Sequence, residues 1–241
     1  MKIRGEEVTP KWLASKLEYV LTFSAIPELD KHIEIAKRYG FHALYAPSPL
    51  YYDYMYEQLK GTGILIGFPF DYPMGIPGFA GFKSNVTRAA MAADAYEHGC
   101  RTADIYPNIS AFANKDYKAV VESIKVILDN VGPDFESKIF VDCSGDIDDM
   151  YAMVDCIQEA GATHAKAYDK NKYGVPITRI KALRERLTSA GLKASGNGKH
   201  WHTLITMGVL AAGADFISAT NVPQIVDELP IFEDIFSNVT F

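Results

Sequence analysis

Val154-Asp155-Cys156-Ile157-Gln158-Glu159-Ala160-Gly161-Ala162-Thr163-His164-Ala165-Lys166-Ala167-Tyr168 reads as a helix, a stop and a strand in direct succession. Val154, Ile157 and Ala160 recur at the spacing of one helical face. Gly161 stands where a left-handed residue ends a helix without steric cost. A short run from His164 to Tyr168 follows, of strand length. The same unit recurs in both directions along the chain. Ile33, Ala36 and Lys37-Arg38 precede Gly40, and Val120, Ile124 and Ile127-Leu128 share another helical face. Gly99, Gly191 and Gly213 stand, like Gly40 and Gly161, between a helical pattern and a strand.

The strands expected are Ala43–Pro47, Ile64–Pro69, Thr102–Tyr106, Lys138–Asp142, His164–Tyr168, Leu192–Gly196 and Asp215–Thr220, with a weaker first one at Tyr19–Thr22. Strands alternating with helices imply right-handed βαβ units and a parallel sheet. Eight of them favour a closed (β/α)8 TIM barrel over an open doubly wound sheet. No G-x-G-x-x-G follows the first strand, which weakens the dinucleotide-binding form of the open alternative. The chain has 241 residues, close to the roughly 250 that one such barrel needs. No linker or charge block divides it, so residues 1–241 are expected to form a single α/β barrel domain.

Composition narrows the function. Hydrophobic residues make up 48%, enough for a sizeable core, and the net charge is −6. With no basic run, a phosphate backbone would repel the chain, and nucleic acid is not an expected partner. Cys100, Cys143 and Cys156 are odd in number and lack metal-type spacing. No stretch approaches the roughly 20 apolar residues of a membrane span, and the first residues carry no signal-like apolar run. The expectation is a soluble cytoplasmic protein without metal or cofactor, acting on a small molecule; homo-oligomerisation is left open.

In barrels of this class the chemistry sits at the C-terminal ends of strands. Asp104, Lys166 and Lys193 each interrupt an apolar or small-residue strand run. A charge pointing into a barrel must be paired or have a task. Singly, each is as well read as an outward-facing side chain or a structural ion pair; together, on three strands, they invite a catalytic reading. An amine attacks a carbonyl only when neutral, and burial or a second cation lowers a lysine pKa toward that state. An aspartate nearby supplies a general acid/base. From the residues alone either lysine could form an imine.

Several stretches resemble deoxyribose-phosphate aldolases, which are Schiff-base (class I) aldolases. Ile66-Gly67-Phe68-Pro69 is similar to that family's third strand, and Lys83 through Gly99 to the helix after it. Ala103-Asp104-Ile105-Tyr106-Pro107-Asn108-Ile109 resembles its fourth strand. Ala160-Gly161-Ala162-Thr163-His164-Ala165-Lys166 resembles its sixth, which ends on the imine-forming lysine, and Leu192-Lys193-Ala194-Ser195-Gly196 its seventh. Ala211-Ala212-Gly213-Ala214 leads into the eighth. The pieces are collinear over about residues 17–221. The resemblance implies a TIM-barrel aldolase with Lys166 as nucleophile, Lys193 as the cation beside it and Asp104 as acid/base, acting on a small sugar phosphate or related aldehyde or ketone.

Two departures concern the substrate's far end. The family's "T-S-T-G" after the sixth-strand lysine is here Ala167-Tyr168-Asp169-Lys170, and its Gly-Ser-Ser turn is here Ser218-Ala219-Thr220-Asn221. Close backbone approach to a phosphate favours glycine, and Asp169 would repel one. Gly196, Asn197, Gly198 and Lys199, with Ser218, remain as candidate substrate-binding residues. His200 and His202 would share a face only on a strand, but the segment reads better as a helix start than as a metal site. Tyr72–Gly78 suits a rim loop. Tyr45, Tyr51, Tyr52 and Tyr106 suit packing, one or two of them reaching the pocket mouth. Asp142 could join the polar network, and Cys143 suits a small buried site. Another imine reaction, transaldol transfer or dehydration, fits the same trio. A non-catalytic sugar-binding barrel is the alternative outside enzymes; it would form no reducible adduct at Lys166.

Overall fold

The computed structural model describes residues 1–21, 26–71, 83–170, 174–196 and 201–237. Eight strands close into one barrel: β1 (Leu17–Val20), β2 (Ala43–Tyr45), β3 (Leu65–Phe70), β4 (Cys100–Ile105), β5 (Glu136–Asp142), β6 (His164–Tyr168), β7 (Gly191–Ser195) and β8 (Phe216–Ala219). Each pairs in parallel with the next, and β8 closes on β1 through Ile217 to Leu17 and Ala219 to Tyr19. All eight expected strands are present. The first lies earlier than Tyr19–Thr22, and Thr22 is outside the described residues.

The period of two along each strand sorts the side chains. Leu44, Ala103, Ile105, Ile139, Val141, Ala165, Ala167, Leu192, Ala194 and Ile217 are fully buried in the apolar layer between sheet and helices. Each large aliphatic there contributes about 1.5–3 kcal/mol by leaving water. The helices bring matching stripes. α1 (Ile147–Ala160), after β5, is capped by Asp146, whose side chain accepts from the Asp148 N–H, and buries Met150, Met153, Val154, Ile157 and Ala160. Gly161 ends it at φ 80°, and Gly40, Gly99 and Gly213 also have positive φ.

Gly191 departs from the helix-stop reading. It is the first residue of β7 and is not among the positive-φ glycines. The preceding helix, α2 (Ile177–Arg186), ends on an extended Leu187. Glycine is needed at 191 for packing: a Cβ there would lie 2.3 Å from His164 Cδ2.

Below the barrel, Lys2–Ile3 pairs antiparallel with Glu6–Glu7 around a turn in which Arg4 and Gly5 both have positive φ. Arg4 donates to Asp215 at 3.0 Å, fastening this hairpin to the entry of β8. No described helix is long and apolar enough to cross a membrane.

Candidate active site

The strand faces that look inward are unusually polar for a barrel, whose interior is commonly filled by branched apolar residues. Lys166 on β6 donates to Asp104 Oδ2 at 2.5 Å, and Lys193 on β7 donates to Asp104 Oδ1 at 2.6 Å. Lys166 and Lys193 are direct register partners, so one β4 carboxylate spans both. All three are buried, at 5% exposure or less. Tyr45 on β2 completes the group: its hydroxyl donates to Asp104 Oδ1 at 3.1 Å and accepts from Lys193 at 2.9 Å. Gly67 on the adjacent strand makes room for that ring, since a Cβ there would sit 2.7 Å from Tyr45 Cε2.

A second layer lies against this one. Glu18 on β1 accepts from Lys193 through Oε2, and its Oε1 is 2.7 Å from Lys138 on β5. Lys138 also donates to the Thr102 hydroxyl and, at 2.7 Å, to Glu136, which bonds His42 at 2.8 Å. Three lysines thus face three carboxylates. Buried ions are tolerable only when matched this closely, and removing one partner typically costs about 3–5 kcal/mol. Glu18, His42 and Glu136 offer atoms close enough to ligate a cation. Lys138 Nζ already stands 2.7 Å from both carboxylates, which places an ammonium there instead.

The two lysines are not equivalent. Lys193 lies between Glu18 and Asp104, whereas Lys166, among the described residues, pairs with Asp104 alone. Burial pushes the Lys166 amine down, Asp104 opposes this, Lys193 adds to it, and the result is about 8. Burial pushes Asp104 up, but Lys166 and Lys193 together hold it below its ordinary value. Glu18 is likewise held low, by Lys138 and Lys193 against burial. Lys138 is raised, because Glu18 and Glu136 outweigh its desolvation.

An aromatic wall flanks Lys166. Its Nζ lies 4.4 Å from the centroid of Phe140 on β5. Phe140 stacks on Tyr106 with centroids 3.9 Å apart and meets Tyr168 edge-on at 5.2 Å. The buried Arg88 guanidinium donates to the Tyr106 carbonyl at 3.1 Å and pairs with Asp71 at 3.3 Å, which anchors the end of β4.

The remaining candidates are more dispersed. Gly196 follows β7, and its N–H is already given to the Ser218 carbonyl at 2.7 Å. Ser218 is buried on β8, in register with Glu18 and Ser195. Asn197, Gly198, Lys199 and His200 lie outside the described residues, as does Tyr72–Gly78. His202 is extended and directly precedes α3 (Thr203–Ala211). Asp142 bonds Ser144 at 2.7 Å and Lys170 at 3.1 Å, and no bond joins it to the lysine cluster among the described residues. Cys143 is buried, its thiol pushed up to about 12. Tyr51 and Tyr52 pack into the shell.

Sequence reasoning passed over Glu18, Lys138 and the Tyr45 hydroxyl. The available signal was a charge inside a strand, as for Asp104. Glu18 fell outside a first strand read from Tyr19, and Lys138 opened its run, where a charge is unremarked.

No protein-family profile matches the chain. Curated relatives do. A deoxyribose-phosphate aldolase from Streptococcus sanguinis is 24% identical over 195 residues, 80% of this chain and 84% of its own. One from Clostridium tetani is 26% identical over 208 residues, 83% and 90% of the two chains. Among solved structures, a putative deoxyribose-phosphate aldolase from Coccidioides immitis has a TM-score of 0.79 at 20% identity, covering 92% of this chain and 87% of its own. The tetrameric deoxyribose phosphate aldolase from Aeropyrum pernix has 0.76 at 19%, covering 93% of each. An orotidine 5'-phosphate decarboxylase from Pyrococcus horikoshii still reaches 0.62 at 16% identity, covering 92% of this chain and 100% of its own, so the barrel alone does not select the chemistry.

Proposed function

We propose that this chain, similar to deoxyribose-phosphate aldolases in sequence over most of its length and in fold, is an aldehyde-lyase working through a Schiff base at Lys166. The observation that carries the reading is a buried lysine with its pKa brought to about 8, sharing one aspartate with a second lysine. At pH 7 about one-tenth of such an amine is neutral, against less than about one-thousandth for an ordinary lysine.

The neutral Lys166 amine attacks the substrate carbonyl carbon, and the oxygen takes up a proton to give a carbinolamine. A second proton lets that oxygen leave as water, and the iminium remains. In the cleavage direction the β-hydroxyl proton goes to a base, the C–C bond breaks, and the electron pair enters the iminium to form an enamine. One aldehyde departs. Protonation of the enamine carbon and addition of water then release the second carbonyl product and restore the amine. Asp104, in contact with both lysines and Tyr45, is the group best sited to relay these protons. Lys193, set between Glu18 and Asp104, pushes the Lys166 amine toward its neutral form. Phe140 offers its ring face to the cationic imine.

The substrate class is a small aldehyde or ketone bearing hydroxyl or phosphate groups. A panel of aldehyde pairs, assayed for C–C bond formation and cleavage, tests the reading. Wild type should turn over at least one pair, and Lys166→Met should turn over none. Equal activity of the two proteins would refute it.

A further inference from the structure

The ion pairs beneath Lys166 continue to the opposite end of the barrel. Lys138 Nζ stands 2.7 Å from Glu18 Oε1 and 2.7 Å from Glu136 Oε2. Glu136 is the first residue of β5 and His42 directly precedes β2, so both lie at the N-terminal foot of the sheet. His42 Nε2 is 2.8 Å from Glu136, and its ring stacks on Phe216, the first residue of β8, with centroids 4.0 Å apart. The His42 and Glu136 side chains are 20% and 25% exposed, whereas those of Lys138, Glu18 and Lys193 are sealed. His164, at the start of β6, also faces this foot; burial and Lys138 bring its pKa down to about 4, with Glu136, Glu18 and Asp215 acting the other way. Against its own burial, Glu136 is held at about 2 by His42 and Lys138, so it is ionised at neutral pH.

Among the described residues, the lysines of this path are 166, 193 and 138, and its carboxylates are Asp104, Glu18 and Glu136. Three positive and three negative charges cancel, however the protons are shared among the six groups. Imine chemistry alters that balance. When Lys166 gives up a proton the set carries one net negative charge, and when an iminium forms there the set is neutral again.

We propose that Glu136, at the opposite end of the barrel from the C-terminal mouth, is a positioning residue for the imine, completing with Lys138 and Glu18 the charge that matches a cation at Lys166; this rests on the Schiff-base reading above. A residue that only filled the foot would act through the shape of its contacts, whereas this role acts through its charge. Charge gives the two neighbours opposite signs: the Glu136 carboxylate favours a cation at Lys166 and the Lys138 ammonium opposes one. Register sets the scale. Lys138 is paired with His164, two residues before Lys166, and Glu136 lies two residues before Lys138. Strand spacings then put the Lys138 charge about 8 Å and the Glu136 charge about 12 Å from the Lys166 amine. With an effective dielectric of about 20, removing them shifts Lys166 by about 1.5 and about 1 pKa units. Solvent at Glu136 reduces its share to about half a unit.

The test follows the Lys166 amine by ¹³C NMR in protein labelled at the lysine Cε, its signal assigned by loss in Lys166→Met. The Lys166 titration should move about half a unit lower in Glu136→Gln and stay near wild type in Glu136→Asp, which keeps the charge. It should move higher in Lys138→Met, and Lys138→Met/Glu136→Gln should fall between the two single variants. His42→Gln keeps the carboxylate and should leave the titration in place. Circular dichroism accompanies each variant; if Lys138→Met does not fold, Glu136→Gln against Glu136→Asp still decides the matter. A Lys166 titration unmoved or raised in Glu136→Gln, or moved as far by Glu136→Asp or His42→Gln, overturns the proposal. Acetaldehyde trapped on Lys166 by borohydride reports the Schiff-base reading separately. Failure to trap in wild type, alongside these shifts, would sink the imine and leave the charge coupling standing.

Discussion

Replacing Lys193 by Met should move the Lys166 amine upward, by an amount that the geometry sets. Both amines lie against one carboxylate, at 2.5 and 2.6 Å from its two oxygens. Taking their separation as about 7 Å, near the widest that a shared carboxylate allows, and an effective dielectric of about 20, the repulsion lost is about 2.4 kcal/mol. That is about 1.7 pKa units. The Lys166 value of about 8 should therefore rise to about 10, and Asp104, freed for Lys166 alone, adds to the rise. Because the attacking form is the neutral amine, the rate at pH 7 should fall roughly fifty-fold. The assay is the rate of acetaldehyde-dependent cyanoborohydride labelling of Lys166, followed between about pH 6 and 10. The substitution also leaves Glu18 Oε2 without its lysine, with Lys138 still on Oε1, so circular dichroism should accompany it, together with Lys193→Met/Glu18→Gln, which restores charge balance. A rising limb that stays near its wild-type position, or moves to lower pH, in both proteins would refute the argument.

Phe140→Leu has the opposite sign. It removes a ring face 4.4 Å from the Lys166 ammonium, so the amine should become about half a unit more acidic and the same limb should move to lower pH. Glu136 has its pKa lowered to about 2 from 4.5, where His42 and Lys138 outweigh burial. Its stabilisation is therefore present above about pH 4.5 and lost as pH falls through about 2. Chemical denaturation across that window should show a flatter loss of stability in Glu136→Gln than in wild type, and identical slopes would count against the pairing. Gly196→Ala would put a Cβ 2.9 Å from the Ser218 carbonyl oxygen and 3.1 Å from Trp201 Cγ. It should cost about 1–3 kcal/mol, visible as a thermal midpoint lower by several degrees; an unchanged midpoint would show that this contact relaxes freely.

Much of the fold was legible because barrel periodicity is local. Val154, Ile157 and Ala160 before Gly161, with a short run after, define a βα unit without any long-range information, and eight such runs close the sheet. Asp104, Lys166 and Lys193 were legible because a charge inside an apolar strand is costly to bury and therefore conspicuous. What was hidden depended on register across the barrel. Whether Lys138 pairs with Glu18 is decided by which strands face each other over the interior, and nothing in either strand's own residues says so. Tyr45 was legible as packing, yet its hydroxyl reaches Asp104 only because Gly67 opens the space beside it. Gly191 was misread for a related reason. Its position after a helix suggested a stop, whereas the constraint is His164 on the neighbouring strand.

Borohydride trapping with acetaldehyde, read by peptide mass spectrometry, addresses the central claim most directly. Lys166 and Lys193 are register partners on adjacent strands and lie on separable stretches of sequence, so the labelled peptide distinguishes them. The account predicts an ethyl group on Lys166 in wild type and no label at either position in Lys166→Met. It predicts slower labelling of Lys166 at neutral pH in Lys193→Met and, in Asp104→Asn, trapping that persists while C–C bond formation stops. A label on Lys193 that survives Lys166→Met, or wild-type protein that stays unlabelled across the pH range, would contradict it.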